Sequence, residues 1–249
     1  MPINHKKITD LVSENYHFAA VLHYFGIEFY QYQEETLTQV CKSKGLSTKK
    51  VVAELESAVN QPKDDPLSLI AYPIELVVAY LKHAHHLFIK RRLPFISDLI
   101  AHLPDNHKGY RQVVKDLKFV FPLFVEDFIH HIYKEEDELF SYIKLLDHAR
   151  AGSHHIGMLY YKMEKHSINQ QALDHDLHDD EMSGIRNITR GYNTEAPASL
   201  SLMVTYSELK IFEYELITHA RIENEILFPK ALALEKEVKN TLQHKVKLN

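Results

Sequence analysis

The segments HIYKEEDELF at residues 131–140 and HARIENEILF at residues 219–228 decide the fold of this 249-residue chain. In each segment a histidine is followed four residues later by a glutamate, and then by a leucine and a phenylalanine. Residues four apart lie on one face of a helix. Imidazole and carboxylate groups are metal ligands, so two such pairs on two helices predict a metal site in a helical bundle.

The remaining sequence has the pattern of long helices. Seven glycines in the whole chain argue against a β-rich protein with many tight turns. We predict an all-α protein with an antiparallel up-down four-helix bundle, because four helical stretches are joined by short breaks. The predicted helices cover residues 72–103, 111–149, 158–190 and 200–238. Pro122 should kink or break the second helix, and Pro229 should bend the fourth.

The N-terminal region is predicted to be a small helical domain. Its first two helical stretches end at Gly26 and Gly45, since glycine favours helix termination, and Ser47-Thr48 precedes a third. A polar stretch with two prolines follows and is the best linker candidate. We therefore divide the chain into a domain at residues 1–60, a linker at 61–71 and the bundle at 72–249.

Composition excludes several classes of protein. The net charge is −5, which gives no electrostatic reason to expect binding to nucleic acid. No apolar stretch of about 18 residues occurs, so we expect no membrane-spanning helix. A single cysteine, Cys41, and an N-terminus without the layout of a signal peptide favour the cytoplasm. The sequence does not determine the oligomeric state, and a homodimer is compatible with it.

The other ligands should come from histidine clusters on the first and third helices, at residues 83–86 and 175–178. Helical spacing alone does not choose among His83, His85 and His86, or between His175 and His178. Four imidazoles and two bridging carboxylates could hold two metal ions and leave positions for an oxo or hydroxo bridge and a small molecule. Zinc or manganese could take the same ligands as iron.

At these residues the chain resembles the hemerythrin-like HHE proteins, in particular the repair-of-iron-centres di-iron family, over nearly its whole length. His86 stands seven residues before Leu93-Pro94, as the first-helix ligand does in that family, and His178 opens an H-D-D-E string like the third-helix motif. The second and fourth motifs match at residues 131–140 and 219–229. The resemblance implies two iron ions bound by His86, His131, Glu135, His178, His219 and Glu223.

The N-terminal region departs from the family in one respect. Relatives carry a Cys-Cys pair in their N-terminal unit, the ScdA N-terminal domain, where this chain has Tyr30 and Gln31. Cys41 alone cannot perform dithiol chemistry and is expected to be a buried apolar residue.

The resemblance implies a function in repairing iron–sulfur clusters damaged by nitric oxide or oxidants, through NO or O₂ binding or iron donation. Its partners would be damaged iron–sulfur proteins or those gases. The alternative is a hemerythrin-like carrier or sensor of O₂ or NO without turnover. A ferritin-type oxidase is disfavoured, because that class uses E-x-x-H pairs and the pair found here, Glu14 and His17, lies outside the bundle.

Overall fold

The structure is a computed structural model and describes residues 2–60, 66–105, 109–152, 159, 161–163, 167–176, 180–194 and 197–247. Within these ranges the regular elements are all helical, which confirms the all-α prediction. The α-helices are α1 (Ile8–Glu14), α2 (His17–Tyr24), α3 (Leu37–Ser43), α4 (Thr48–Asn60), α5 (Ile74–Leu87), α6 (Leu93–Ala101), α7 (Arg111–Glu135), α8 (Ser141–Arg150), α9 (Ile168–Asp176), α10 (Ser183–Ile188), α11 (Leu200–Ile222) and α12 (Phe228–Lys247).

Three pairs of these helices are continuous through a π-helical turn. Phe88–Arg92 joins α5 to α6, Glu136–Phe140 joins α7 to α8, and Glu223–Leu227 joins α11 to α12. The resulting long helices match three of the four predicted ones, although the last extends nine residues further, to Lys247. Each π-helical turn holds more residues than an α-helical turn of the same height, and such turns are frequent at functional sites.

The predicted third helix differs from the structure. Where one helix was expected at 158–190, the described residues contain α9 and α10, and residues 180–182 between them are not helical. Like charges four residues apart on a helix repel, so Asp176 and Asp180 disfavour a continuous helix across this stretch. The up-down arrangement of four long helices stays a prediction.

The prolines at the predicted kinks lie inside helices. α7 continues through Pro122 without a break, and the kink at Pro122 and the bend at Pro229 stay predictions. Pro94 and Pro229 each follow a π-helical turn by two residues. A proline cannot donate to the carbonyl four residues earlier, and here that carbonyl belongs to the π-helical turn, where the regular bonding pattern is already changed.

The described chain groups into two compact units. The first contains residues 1–64, 92–122 and 184–213. Its core combines apolar residues of α1 to α4 with Phe95, Leu99 and Val204, and it includes the buried Cys41. Thr36 caps α3 in a capping box with Gln39. Gly26 and Gly45 have φ near +70°, as expected for residues that end a helix.

The second unit contains residues 65–91, 123–183 and 214–249. Its core is formed by the apolar faces of α5, α8 and α12 and of the second and third π-helical turns. The predicted division into two domains and a linker stays a prediction, and residues 61–65 of that linker lie outside the described ranges. No helix in the described part of the chain is long and apolar enough to cross a membrane.

Candidate metal centre

Four metal-ligating side chains converge in the core of the second unit. One nitrogen or oxygen atom from each of His85, Glu135, His219 and Glu223 lies within 4.8 Å of the corresponding atom of every other. His85, Glu135 and Glu223 are 2%, 8% and 1% exposed, so their polar groups are removed from solvent. Burial of two carboxylates together is costly unless a proton or a cation compensates their charge.

The closest atoms of this cluster are ring nitrogens and carboxylate oxygens. His85 Nε2 lies 3.1 Å from His219 Nε2 and 3.4 Å from Glu135 Oε2. His219 Nε2 lies 3.0 Å from Glu223 Oε1. Among the described residues, Glu135 Oε1 and His219 Nδ1 are buried without a hydrogen-bond partner. The Glu135 oxygen is therefore a buried acceptor without a donor, which a bound cation would stabilise.

The local helices explain why these side chains meet. His85 continues the buried stripe of α5 formed by Ile74, Val77 and Leu81, at three- and four-residue spacing. Glu135 is the last residue of α7, and Glu223 is the first residue of the third π-helical turn. Each of the three π-helical turns thus begins within three residues of a cluster side chain.

Electrostatics in this core favour neutral side chains in the metal-free protein. Burial, together with the charge of Glu223, raises the pKa of Glu135 well above its ordinary value. Burial, followed by the neighbouring His219, lowers the pKa of His85 to about 4. At neutral pH His85 is therefore an uncharged imidazole, the form that binds metals, and the raised pKa of Glu135 makes its proton a competitor of a bound metal.

Aromatic rings enclose the two imidazoles. Phe140 stacks on His85 with 5.6 Å between ring centroids and an interplanar angle of 9°. Phe88 meets His219 edge to face at 5.7 Å. These rings lower the local dielectric constant, so charge interactions inside the cluster are stronger than they would be in water.

The structure brings together three of the six predicted ligands and places two others, His131 and His86, outside the cluster. Glu135, His219 and Glu223 are in the cluster. The side chain of His131 is 35% exposed, stacks on Phe128 and has Nδ1 3.8 Å from Glu181 Oε1. His86 is exposed and lines a surface cleft. His178 lies outside the described residues.

His85 is the cluster residue that sequence reasoning did not select. The family resemblance favoured His86 by counting seven residues back from Leu93-Pro94, and that count crosses the π-helical turn Phe88–Arg92. Such a turn changes which face a counted residue occupies. The buried stripe of α5 could have identified His85, since it falls four residues after Leu81.

Tyr30, in the place of the expected dithiol, forms a polar cluster within the first unit. Its hydroxyl donates to Asp98 Oδ2 at 2.8 Å and lies 3.2 Å from His102 Nδ1. Its ring stacks on that of His102 with 4.6 Å between centroids. Burial and the bond to Asp98 raise the pKa of Tyr30, which keeps the hydroxyl a hydrogen-bond donor. These contacts attach the residues around Tyr30 to α6 and its C-terminal end.

Comparison with known proteins identifies distant relatives of this chain. No protein-family model matches the chain. It is 26% identical over 205 residues to the iron-sulfur cluster repair protein YtfE of Escherichia coli O157:H7, across 81% of this chain and 85% of that protein. The corresponding protein of Enterobacter sp. strain 638 is 24% identical over 202 residues.

A probable iron-sulfur cluster repair protein of Haemophilus influenzae is 26% identical over 180 residues, across 70% of this chain and 71% of that protein. The chain therefore has distant homologues among iron–sulfur cluster repair proteins, and the similarity covers most of its length.

Proposed function

We propose that this protein repairs damaged iron–sulfur clusters by means of a non-haem iron centre in its helical core. The observation that carries the proposal is the buried cluster of His85, Glu135, His219 and Glu223. The distant homologues named for cluster repair supply the biological process. Together they support iron as the metal, because iron accepts mixed imidazole and carboxylate ligands and is what a damaged cluster lacks.

The proposed ligands divide into terminal imidazoles and carboxylates shared between two iron ions. His85 and His219 would bind through Nε2, the atoms that approach each other at 3.1 Å. Glu135 and Glu223 would bridge, since their oxygens lie beside these nitrogens. His85 replaces His86 in this proposal, because His86 points to a solvent-exposed cleft.

The second iron would use the predicted ligands His131 and His178. His131 follows Phe128 on α7 and is four residues before Glu135, so the two residues share one face of that helix. We also propose the antiparallel four-helix, hemerythrin-like bundle, with its helices in the predicted regions that begin near residues 72, 111, 158 and 200. It is supported by the three long helices of the structure.

When bound, a pair of iron ions supplies open coordination positions for NO or O₂ and a store of iron for transfer. The protein's own residues have separate tasks. His85 presents an uncharged ring nitrogen, Glu135 and Glu223 supply negative charge, and the rings of Phe88 and Phe140 exclude water from the imidazoles. No side chain in this cluster is proposed as a nucleophile.

The proposal is tested by loading the purified protein anaerobically with iron(II) and mixing it, in the presence of a thiol reductant that supplies the electron, with an iron–sulfur dehydratase whose oxidised cluster has lost one iron ion. We expect about two iron ions per chain, and recovery of dehydratase activity with a matching loss of iron from this protein. His85→Ala should remove bound iron and repair together. His86→Ala is the matched control, because it removes the adjacent imidazole on the same helix but leaves the buried cluster intact.

Two results would contradict this function. Stoichiometric zinc with no retention of iron after anaerobic loading would exclude the iron centre. Reversible binding of NO or O₂ without iron loss, and without recovery of the dehydratase, would instead assign the carrier or sensor function.

A further inference from the structure

Glu136 is a carboxylate beside the cluster that does not belong to it. Its Oε1 lies 3.0 Å from His85 Nδ1, on the opposite side of the imidazole from the nitrogen that faces the cluster. Its Oε2 lies 3.1 Å from Lys82 Nζ. Glu136 is therefore the middle member of a chain that runs from an exposed ammonium group to a buried imidazole.

From this geometry we infer that Glu136 is a positioning residue, which holds His85 with its Nε2 lone pair directed at the metal centre. A carboxylate only accepts hydrogen bonds, so the contact at 3.0 Å requires a proton on His85 Nδ1. In a neutral imidazole the other nitrogen, Nε2, is then free to bind a metal. The inference rests on the proposed metal centre.

The contact with Lys82 supports this assignment. The Lys82 ammonium lies 3.1 Å from Glu136 Oε2, and an opposite charge at that distance favours the ionised carboxylate. A carboxylate on the outer nitrogen also increases the electron density that the imidazole offers to a metal.

The orientation of the His85 ring is fixed from two directions. Phe140 stacks on one face of the imidazole, with 9° between the planes, while Glu136 fixes its edge. The Lys82 ammonium lies 6.0 Å from the centroid of the Phe140 ring, so the same cation contacts both restraining groups. Rotation of the imidazole would break the bond to Glu136 and the stacking together.

A surface cleft explains why His85 needs this restraint. The cleft has a volume of about 250 Å³ and reaches His85 from the side of Glu136, between Lys90, His86 and Tyr133. Without the carboxylate, water in the cleft could bond to His85 Nδ1 as donor or acceptor, and the imidazole could then carry its proton on either nitrogen.

The inference is tested with Glu136→Leu, which removes the acceptor, and Glu136→Gln, which keeps an acceptor oxygen without charge. Loss of an outer partner of this kind typically lowers metal affinity by about 10–100-fold. We expect a loss of that size for Glu136→Leu in cobalt(II) titrations of the full chain, and a smaller one for Glu136→Gln. Glu138→Gln, an exposed glutamate on the same π-helical turn, is the matched control and should bind as wild type.

A second readout does not depend on metal binding. Nitrogen NMR of the chelator-treated protein, labelled in its histidine rings, reports which nitrogen of His85 carries the proton. Comparison with His85→Gln assigns the signal. We expect protonation at Nδ1 in wild type and in Glu138→Gln, and a shift toward protonation at Nε2 in Glu136→Leu.

The outcomes separate this inference from the proposed function. Protonation of His85 at Nε2 in wild type, or unchanged cobalt affinity in Glu136→Leu, would overturn the positioning role. A wild-type protein that binds no metal yet carries the His85 proton on Nδ1 would overturn the metal centre and leave the hydrogen-bonded pair intact. If Glu136→Leu does not fold, Lys82→Met tests the same chain from its outer end and should weaken cobalt binding by less than about tenfold.

Discussion

Replacing Glu135 by glutamine should stabilise the metal-free protein while weakening metal binding. Glu135 is buried beside Glu223, and its pKa is well above the ordinary value, so the folded metal-free protein keeps a proton on this carboxyl to a higher pH than the unfolded chain does. The unfolded chain releases that proton above about pH 4.5. Glutamine has nearly the same shape, is neutral at every pH and can donate to Glu223 as the protonated acid does.

The magnitude follows from the difference in proton binding. A group whose pKa is raised by folding contributes stability below its unfolded pKa and loses it as the pH rises. The loss is about 1.4 kcal/mol for each pH unit until the folded pKa is reached. Between pH 5 and 7 this lowers the unfolding free energy of the wild type by up to about 3 kcal/mol, and the Glu135→Gln variant lacks this loss.

Urea unfolding of chelator-treated proteins at pH 5, 6 and 7 measures this difference. The stability advantage of Glu135→Gln over wild type should grow with pH until the folded pKa of Glu135 is reached, by at most about 3 kcal/mol across the range. Glu138→Gln should follow the wild type, because its carboxylate is exposed. If the wild type and Glu135→Gln have parallel pH profiles, Glu135 is already ionised in the folded protein and the reasoning is wrong.

Three further predictions concern other parts of the chain. His219→Ala should abolish the rise in melting temperature that saturating iron(II) causes, whereas His86→Ala should keep it. A ligand at 100 times its dissociation constant raises the free energy of unfolding by about 2.7 kcal/mol. Tyr30→Phe should lower the free energy of unfolding in urea by about 1 kcal/mol, because the hydroxyl that donates to Asp98 is lost, and an unchanged value would contradict that role. Deletion of residues 1–64 should lower the melting temperature, because it uncovers core residues of the first unit, yet preserve the iron-induced rise, because the four clustered ligands all lie later in the chain.

Much of the candidate site could be predicted from two ten-residue segments. Their His-x₃-Glu pairs contain Glu135, His219 and Glu223, which the structure places in one buried cluster. Side chains four apart on a helix share a face wherever the helix is regular, so a local pattern was sufficient for these residues. The first helix differs because the count from Leu93-Pro94 to a histidine passes through a π-helical turn.

Other features depend on contacts between distant residues and are not visible in local patterns. The hydrogen bond from His85 to Glu136 joins residues 51 positions apart, and neither spacing nor composition identifies it. The predicted continuous helix at 158–190 was wrong for a local reason, since its polar sequence gives little periodic signal and like charges such as those of Asp176 and Asp180 disfavour a continuous helix. The attachment of Tyr30 to Asp98 likewise requires the folded chain.

The π-helical turn Glu136–Phe140 is a place where the chain could lose a residue without disturbing the core that follows. Asp137 is exposed in that turn, so most substitutions there should be tolerated. Deletion of the same residue would leave the number of residues that a regular α-helical turn needs. Ile143 and Leu146, which belong to the apolar core, would then keep the face that they occupy now. A missing codon at this position is therefore expected to preserve the core and to change the backbone only beside Glu135.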